Sequence, residues 1–141
     1  MANITNKIIR GTFGYLWFDG DLLSNVKSFE AKSTLNYEEV NLSGDFATHQ
    51  RYMGYSGEGT LTMYKIDSRV LKKYFDAIKN GVIPELTMIV KVEDPDNGGS
   101  ERVAFKEVTP NEVTLMKFEN KTISEEELPF KFANFELLDT I

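Results

Sequence analysis

Ser28-Phe29-Glu30-Ala31-Lys32-Ser33-Thr34-Leu35 is the stretch that decides the fold class. Phe29, Ala31 and Leu35 fall on alternate positions, and Ser28, Glu30, Lys32 and Thr34 fall between them. Successive side chains of an extended strand point to opposite sides. The stretch therefore reads as a β-strand with one buried face and one wet face. The same alternation returns at 58–64, where Leu61 and Met63 share one side and Thr60, Thr62 and Tyr64 the other.

Working outward, residues 13–18 are aromatic and β-prone, and Asp19-Gly20-Asp21 follows them. An Asp-Gly between two such runs signals a hairpin, whose second arm is read over 22–40. Residues 41–57, NLSGDFATHQRYMGYSG, show no clear period and are read as a long loop; loops of that length in a small domain are usually functional. The one expected helix spans 67–80. Asp67 can cap its first turn, Val70, Leu71, Tyr74, Phe75 and Ile78 form an apolar stripe, and Asn80-Gly81 with Pro84 ends it. Further strands are expected at 85–93, 101–108, 113–118 and 128–138. Asp94-Pro95-Asp96-Asn97-Gly98-Gly99 is read as a turn, and 119–127 as a polar, acidic segment. The expected class is mainly β: an antiparallel sandwich or barrel with one flanking α-helix. No βαβ alternation suggests a Rossmann-like sheet. Residues 1–12 read as an N-terminal arm and 13–141 as a single β domain.

Composition narrows the chemistry. The chain has 141 residues, is 41% hydrophobic and carries a formal charge of −6. That is enough apolar material for one ordinary core, and an acidic chain does not hold nucleic acid by charge neutralisation. No cysteine is present, which excludes disulfides and thiolate metal sites. No apolar run reaches signal-peptide or membrane-spanning length, so neither a leader nor a membrane anchor is expected.

Catalytic constellations are absent. His49 is the only histidine and no Gly-x-Ser-x-Gly elbow accompanies it; it reads as a polar loop residue. Gly54-Tyr55-Ser56-Gly57-Glu58-Gly59 resembles a phosphate loop, but a strand follows it and the required Lys is missing; its glycines instead relieve crowding. Asp94-x-Asp96-x-Gly98 opens like a calcium loop, but the twelfth position falls on Phe105. Glu125-Glu126-Glu127 reads as a solvated acidic loop. No catalytic residue, metal ligand or cofactor is expected, and the chain is not read as an enzyme.

Short blocks along the chain nevertheless form a pattern. Ser28-Phe29-Glu30-Ala31, Glu39-Val40-Asn41 and Gly57-Glu58-Gly59-Thr60-Leu61-Thr62-Met63-Tyr64-Lys65 occur in order, followed by Gly99-Ser100-Glu101-Arg102-Val103 and Glu126-Glu127-Leu128-Pro129-Phe130-Lys131-Phe132. Over residues 13–135 the chain resembles the PBSX-type contractile phage tail tube family, which includes tube proteins of phage-tail-like bacteriocins. The resemblance implies a phage tail tube fold and a self-assembling structural protein of a virion, prophage or tail-like particle, made in the bacterial host cytoplasm. It implies hexameric rings stacked into a hollow tube that passes DNA or ions. It also implies tail sheath, baseplate and tail terminator partners, with DNA crossing the lumen without specific binding.

On that reading Ser28, Glu30, Lys32, Thr34, Glu58, Thr60 and Thr62 face the lumen, and Phe29, Leu35, Leu61 and Met63 face the core. Asn41, Phe46, His49, Arg51, Tyr52, Met53 and Tyr55 are expected to contact neighbours within and between rings. A monomeric ligand-binding β-barrel and a type VI secretion-like tube protein remain as alternatives.

Overall fold

The computed structural model describes residues 4–141; the first three residues of the expected arm lie outside the described residues. Seven strands, β1 (Gly14–Phe18), β2 (Asp21–Leu23), β3 (Val26–Asn41), β4 (Thr48–Tyr64), β5 (Leu86–Glu93), β6 (Ser100–Pro110) and β7 (Glu125–Asp139), form one antiparallel sheet, and α1 (Arg69–Asn80) links β4 to β5. The hydrogen-bonded order is β2-β1-β5-β6-β7-β4-β3. β2 and β3 thus occupy opposite edges, yet only Ser24 and Asn25 separate them along the chain. A link that short spans roughly 10 Å, so the sheet must roll until its edges meet. Phe29 reports the closure. It stands on β3, which pairs only with β4, yet its ring lies 5.7 Å from Phe105 of β6 and 5.8 Å from Phe130 of β7. The sheet is a barrel filled by side chains.

The hairpin forms as the Asp-Gly signal requires: Asp19 and Gly20 both have positive φ, 50° and 88°. Leu16, Phe18, Leu61, Met63, Met88, Val108, Leu128 and Phe130 are buried in the core. Each large side chain so buried stabilises the fold by about 1.5–3 kcal/mol. Gly57 and Gly59 lie on the core side of β4, and the Phe132 and Phe130 rings fill the space a Cβ would take.

α1 begins with Asp67 Oδ1 accepting the Arg69 N–H at 3.1 Å and ends at Gly81, whose φ is 75°. It buries Val70, Tyr74 and Ala77, and the Tyr74 ring meets Phe18 edge-on at 6.4 Å. The expected stripe is wider than the one buried: Phe75 and Ile78 are 53% and 51% exposed. At 100° per residue they lie round the helix from the Val70–Tyr74–Ala77 line. Lys73 is half-buried, with Nζ 3.3 Å from Asp19 Oδ2 and 5.2 Å above the Phe18 ring.

Four expectations are corrected. The second hairpin arm is two strands, because Asn25 turns the chain and bonds to Tyr64 through both its carbonyl and its side-chain amide. Residues 113–118 form no strand; β6 and β4 already occupy both edges of β7, the strand that follows them. Glu125–Glu127 belong to β7, and Glu126 is buried on the core side. The fourth correction, at 41–57, shapes the candidate site.

Candidate assembly face and ribbon

Residues 41–57 are not a loop. Asn41 closes β3, 42–47 make the turn, and Thr48 begins β4, so 48–57 are strand. Antiparallel pairing runs from Ser33↔Gly57 to Asn41↔Thr48, interrupted by one bulge that leaves Met53 unpaired beside Gly54, φ 141°. The bulge and the glycines hid the alternation, because an extra residue swaps the faces. β7 pairs with β4 only as far as Gly57↔Phe132. Beyond that point β3 and β4 have only each other, and a two-stranded ribbon projects about 25 Å from the barrel at the usual rise per residue.

All seven residues assigned to the loop sit on this ribbon. Tyr52 lies opposite Tyr37 with rings 5.9 Å apart, Arg51 opposite Glu38, and His49 opposite Val40. His49 Nε2 is 2.8 Å from Asp45 Oδ2, and Asp45 is held below the usual carboxylate range by the Ala47 N–H and then by His49. Phe46 caps the turn and is fully exposed, 109% of its reference area. Tyr55 roots the ribbon: its hydroxyl donates to the Ala133 carbonyl at 3.0 Å and its ring meets Phe135. Leu35, expected in the core, is 51% exposed opposite Tyr55, because the barrel has ended before it. Leu35, Tyr37 and Tyr52 thus form an uncovered apolar strip that the sequence reading had not joined.

The polar residues do share one face. Register places them in cross-strand rows: Ser28–Thr62–Glu127, Glu30–Thr60–Pro129, Lys32–Glu58–Lys131, and Thr34 opposite Ser56. All seven expected residues are exposed except Thr62, which is half-buried. Glu127 and Lys131 complete the face from β7, and the alternation around Pro129 was their signal. Lys32 Nζ lies 3.7 Å from Glu58 Oε1. Glu30, Glu58 and Glu127 are interleaved with Lys32 and Lys131, so the acidity of the chain is not concentrated here.

A family model described as phage tail tube protein matches residues 2–139. The phage-like element PBSX protein XkdM of Bacillus subtilis is 32% identical over 139 residues, 97% of this chain and 95% of the relative. The chain belongs to the phage tail tube protein family.

Solved tail tube components share the fold at low identity. The tube-terminating cap of the anti-feeding prophage superposes with TM-score 0.77 at 8% identity, covering 94% of this chain and 92% of that one. A chain of the sheath-tube complex of an extracellular contractile injection system, in its extended state, gives 0.75 at 9%, covering 94% and 93%. This is a family of structural tube proteins and not of enzymes. No described helix is long and apolar enough to cross a membrane, and no group of three or more His, Asp or Glu is placed to hold a metal among the described residues.

The tube protein's N-terminal segment rests on its own barrel. Arg10 donates from Nε and a terminal nitrogen to the two oxygens of Asp94, at 3.0 and 2.9 Å, and its backbone N–H donates to the same carboxylate at 2.9 Å. The Asp94 side chain is wholly buried. The Arg10 guanidinium holds its carboxyl well below the usual carboxylate range, against the opposing effect of burial and with help from the Arg10 and Asp96 N–H groups. The guanidinium therefore sits where the calcium-like spacing would have placed a cation.

Proposed function

We propose that this chain is the structural subunit of the inner tail tube of a contractile phage tail or phage-tail-like bacteriocin, closing hexameric rings that stack into a hollow conduit for DNA or ions. The observation that carries the reading is the polar face of β3, β4 and β7 beside an uncovered ribbon. A lone subunit leaves the outer edge of β3 and the Leu35–Tyr37–Tyr52 strip without partners, and copies of itself in a closed ring would cover such an edge.

Ser28, Glu30, Lys32, Thr34, Glu58, Thr60 and Thr62 line the lumen on this reading. Interleaved charges and threonines give a passing polyanion no continuous basic track to bind. The sheath, baseplate and tail terminator are its partners outside the ring. Assembly takes place in the host cytoplasm, and the finished protein resides in the virion or tail-like particle. A ligand-binding barrel is disfavoured by an interior already occupied by Phe18, Phe105, Phe130 and Phe132.

The test is negative-stain microscopy of concentrated protein, followed by labelling of Glu30→Cys and Thr60→Cys. In tubes, a small maleimide should reach both positions and a maleimide on a bulky polymer should not. Equal labelling by both reagents would place this face outside the lumen, and protein that stays monomeric at every concentration would end the tube reading.

A further inference from the structure

The segment before β1 is tied down by polar contacts, and its apolar side chains are left out. No residue from 4 to 10 is buried, and Ile8 and Ile9 are 64% and 40% exposed. What holds the segment is the turn at 94–99, between β5 and β6. The Asp94 carboxylate takes three Arg10 donors, Asp96 Oδ2 lies 3.3 Å from the same guanidinium, and Asn97 Nδ2 donates to the Lys7 carbonyl at 2.8 Å. Charge-assisted bonds from an Arg fork to a carboxylate are strong, whereas the isoleucines add no burial where they lie.

A second seat adjoins the root of the same segment. A groove of about 500 Å³ lies between the start of β1, β2 and the start of β3, with Gly11, Thr12, Tyr15, Leu22, Val26 and Tyr64 in its walls. Tyr15, Leu22 and Tyr64 are exposed there. A cavity of about 150 Å³ holds a benzene ring, so the groove has room for both isoleucine side chains. Nothing stands within 4 Å of the place a Cβ at Gly11 would take, so the chain can turn there unobstructed. Ile8 is three residues from Gly11, a reach of about 10 Å when extended, and Gly11 is itself part of the groove wall. The isoleucines therefore reach the groove without movement of β1.

We propose that residues 4–10 form a two-position strap: Arg10 on Asp94 holds it on the 94–99 turn, and loss of that anchor sends Ile8 and Ile9 into the groove beside β1. A polar seat and an apolar seat compete for one short segment, so weakening the first shifts the population to the second. The barrel is the same in both positions, because the strap buries nothing in its core. The position decides whether the turn or the groove is left open on the surface. The strap is a property of the single subunit and does not depend on the tube reading.

The chain has no cysteine, so an engineered pair reports the second position alone. Ser24 is also in the groove wall, and the Ile8→Cys, Ser24→Cys protein keeps Ile9 and Leu22 in place. At low protein concentration its intramolecular disulfide, read by peptide mass, should form about tenfold faster or more once Asp94→Asn is added, the shift expected for losing bonds to a charged group. Arg10→Ala in the same background should give the same acceleration and carries the test if the Asp94→Asn protein does not fold by circular dichroism. Equally fast oxidation with Asp94 and Arg10 intact would overturn the proposal, since the anchor would then hold nothing back. Unchanged slow oxidation in both anchor variants, with trypsin now cutting after Lys7, would also overturn it, because the strap would be free without seating in the groove.

Discussion

Adding one methyl group at Gly59 tests whether the barrel wall is as tight as its geometry requires. A Cβ there would stand 2.5 Å from the Glu30 carbonyl oxygen, 2.6 Å from the Phe130 ring and 3.1 Å from the Ala31 Cα. Two of these neighbours are backbone of β3, held by the Glu30↔Thr60 and Ala31↔Gly59 pairing, so relief requires the β3–β4 ladder to open. Overpacking of this kind costs about 1–3 kcal/mol, and the backbone clash puts Gly59→Ala near ~3 kcal/mol. For a chain of this length that lowers Tm by about 10 °C.

Gly57 offers the contrast. All three of its close contacts are atoms of the Phe132 ring, the nearest of them within van der Waals overlap. That ring is braced by Phe105 at 4.9 Å and Phe135 at 6.1 Å. Trimming Phe132 should therefore absorb the new methyl. In a double-mutant cycle, Gly57→Ala with Phe132→Leu should cost less than the sum of the single changes by about 1 kcal/mol or more, as contacting pairs do. Gly59→Ala with Phe130→Leu should recover much less, because the Glu30 oxygen remains. Gly11→Ala, with nothing within 4 Å, is the control and should stay within about 0.5 kcal/mol. Thermal and denaturant unfolding followed by circular dichroism reads all of these. A Gly59→Ala protein melting within about 2 °C of the parent would refute the reasoning.

Three further outcomes follow from named contacts. Arg10 favours the ionised form of Asp94 in the folded state and holds its carboxyl well below the usual carboxylate range, so this carboxylate's contribution is complete above its unfolded value near ~3.9 and is lost as pH falls below it toward the folded value; Asp94→Asn should flatten the acid limb of a Tm-against-pH curve, and an unchanged limb counts against the latch. Tyr74 is buried with a hydroxyl that has no partner among the described residues, and burial disfavours its ionised form; Tyr74→Phe should leave stability unchanged or raise it by up to about 1 kcal/mol, read as an unchanged or higher Tm, since no hydrogen bond is lost. Replacing 36–53 with a tight turn should give a folded monomer with the parent's barrel core that makes no tubes on microscopy, and tubes from that variant would remove the ribbon from the assembly.

The local signals in this sequence were those with a short range. Alternation at Ser28–Thr34 and at Thr60–Tyr64, the Asp19-Gly20 turn and the helical spacing of Val70, Leu71, Tyr74, Phe75 and Ile78 each depend on the residue's own backbone and its near neighbours. They determined the mainly antiparallel β class, the helix and the sidedness of β3 and β4. What partners an extended segment finds is a long-range matter. Residues 113–118 look like a strand but pair with none, because β7's neighbours are already β6 and β4, and Glu126 looks solvated but is drawn inward by the β4 register. Leu35 looks like core but lies past the end of the barrel. Two residues between β2 and β3 rolled the sheet, and a single bulge at Met53 concealed a ribbon. Only the tertiary arrangement decided these, because burial depends on where other strands stop and not on the side chain itself.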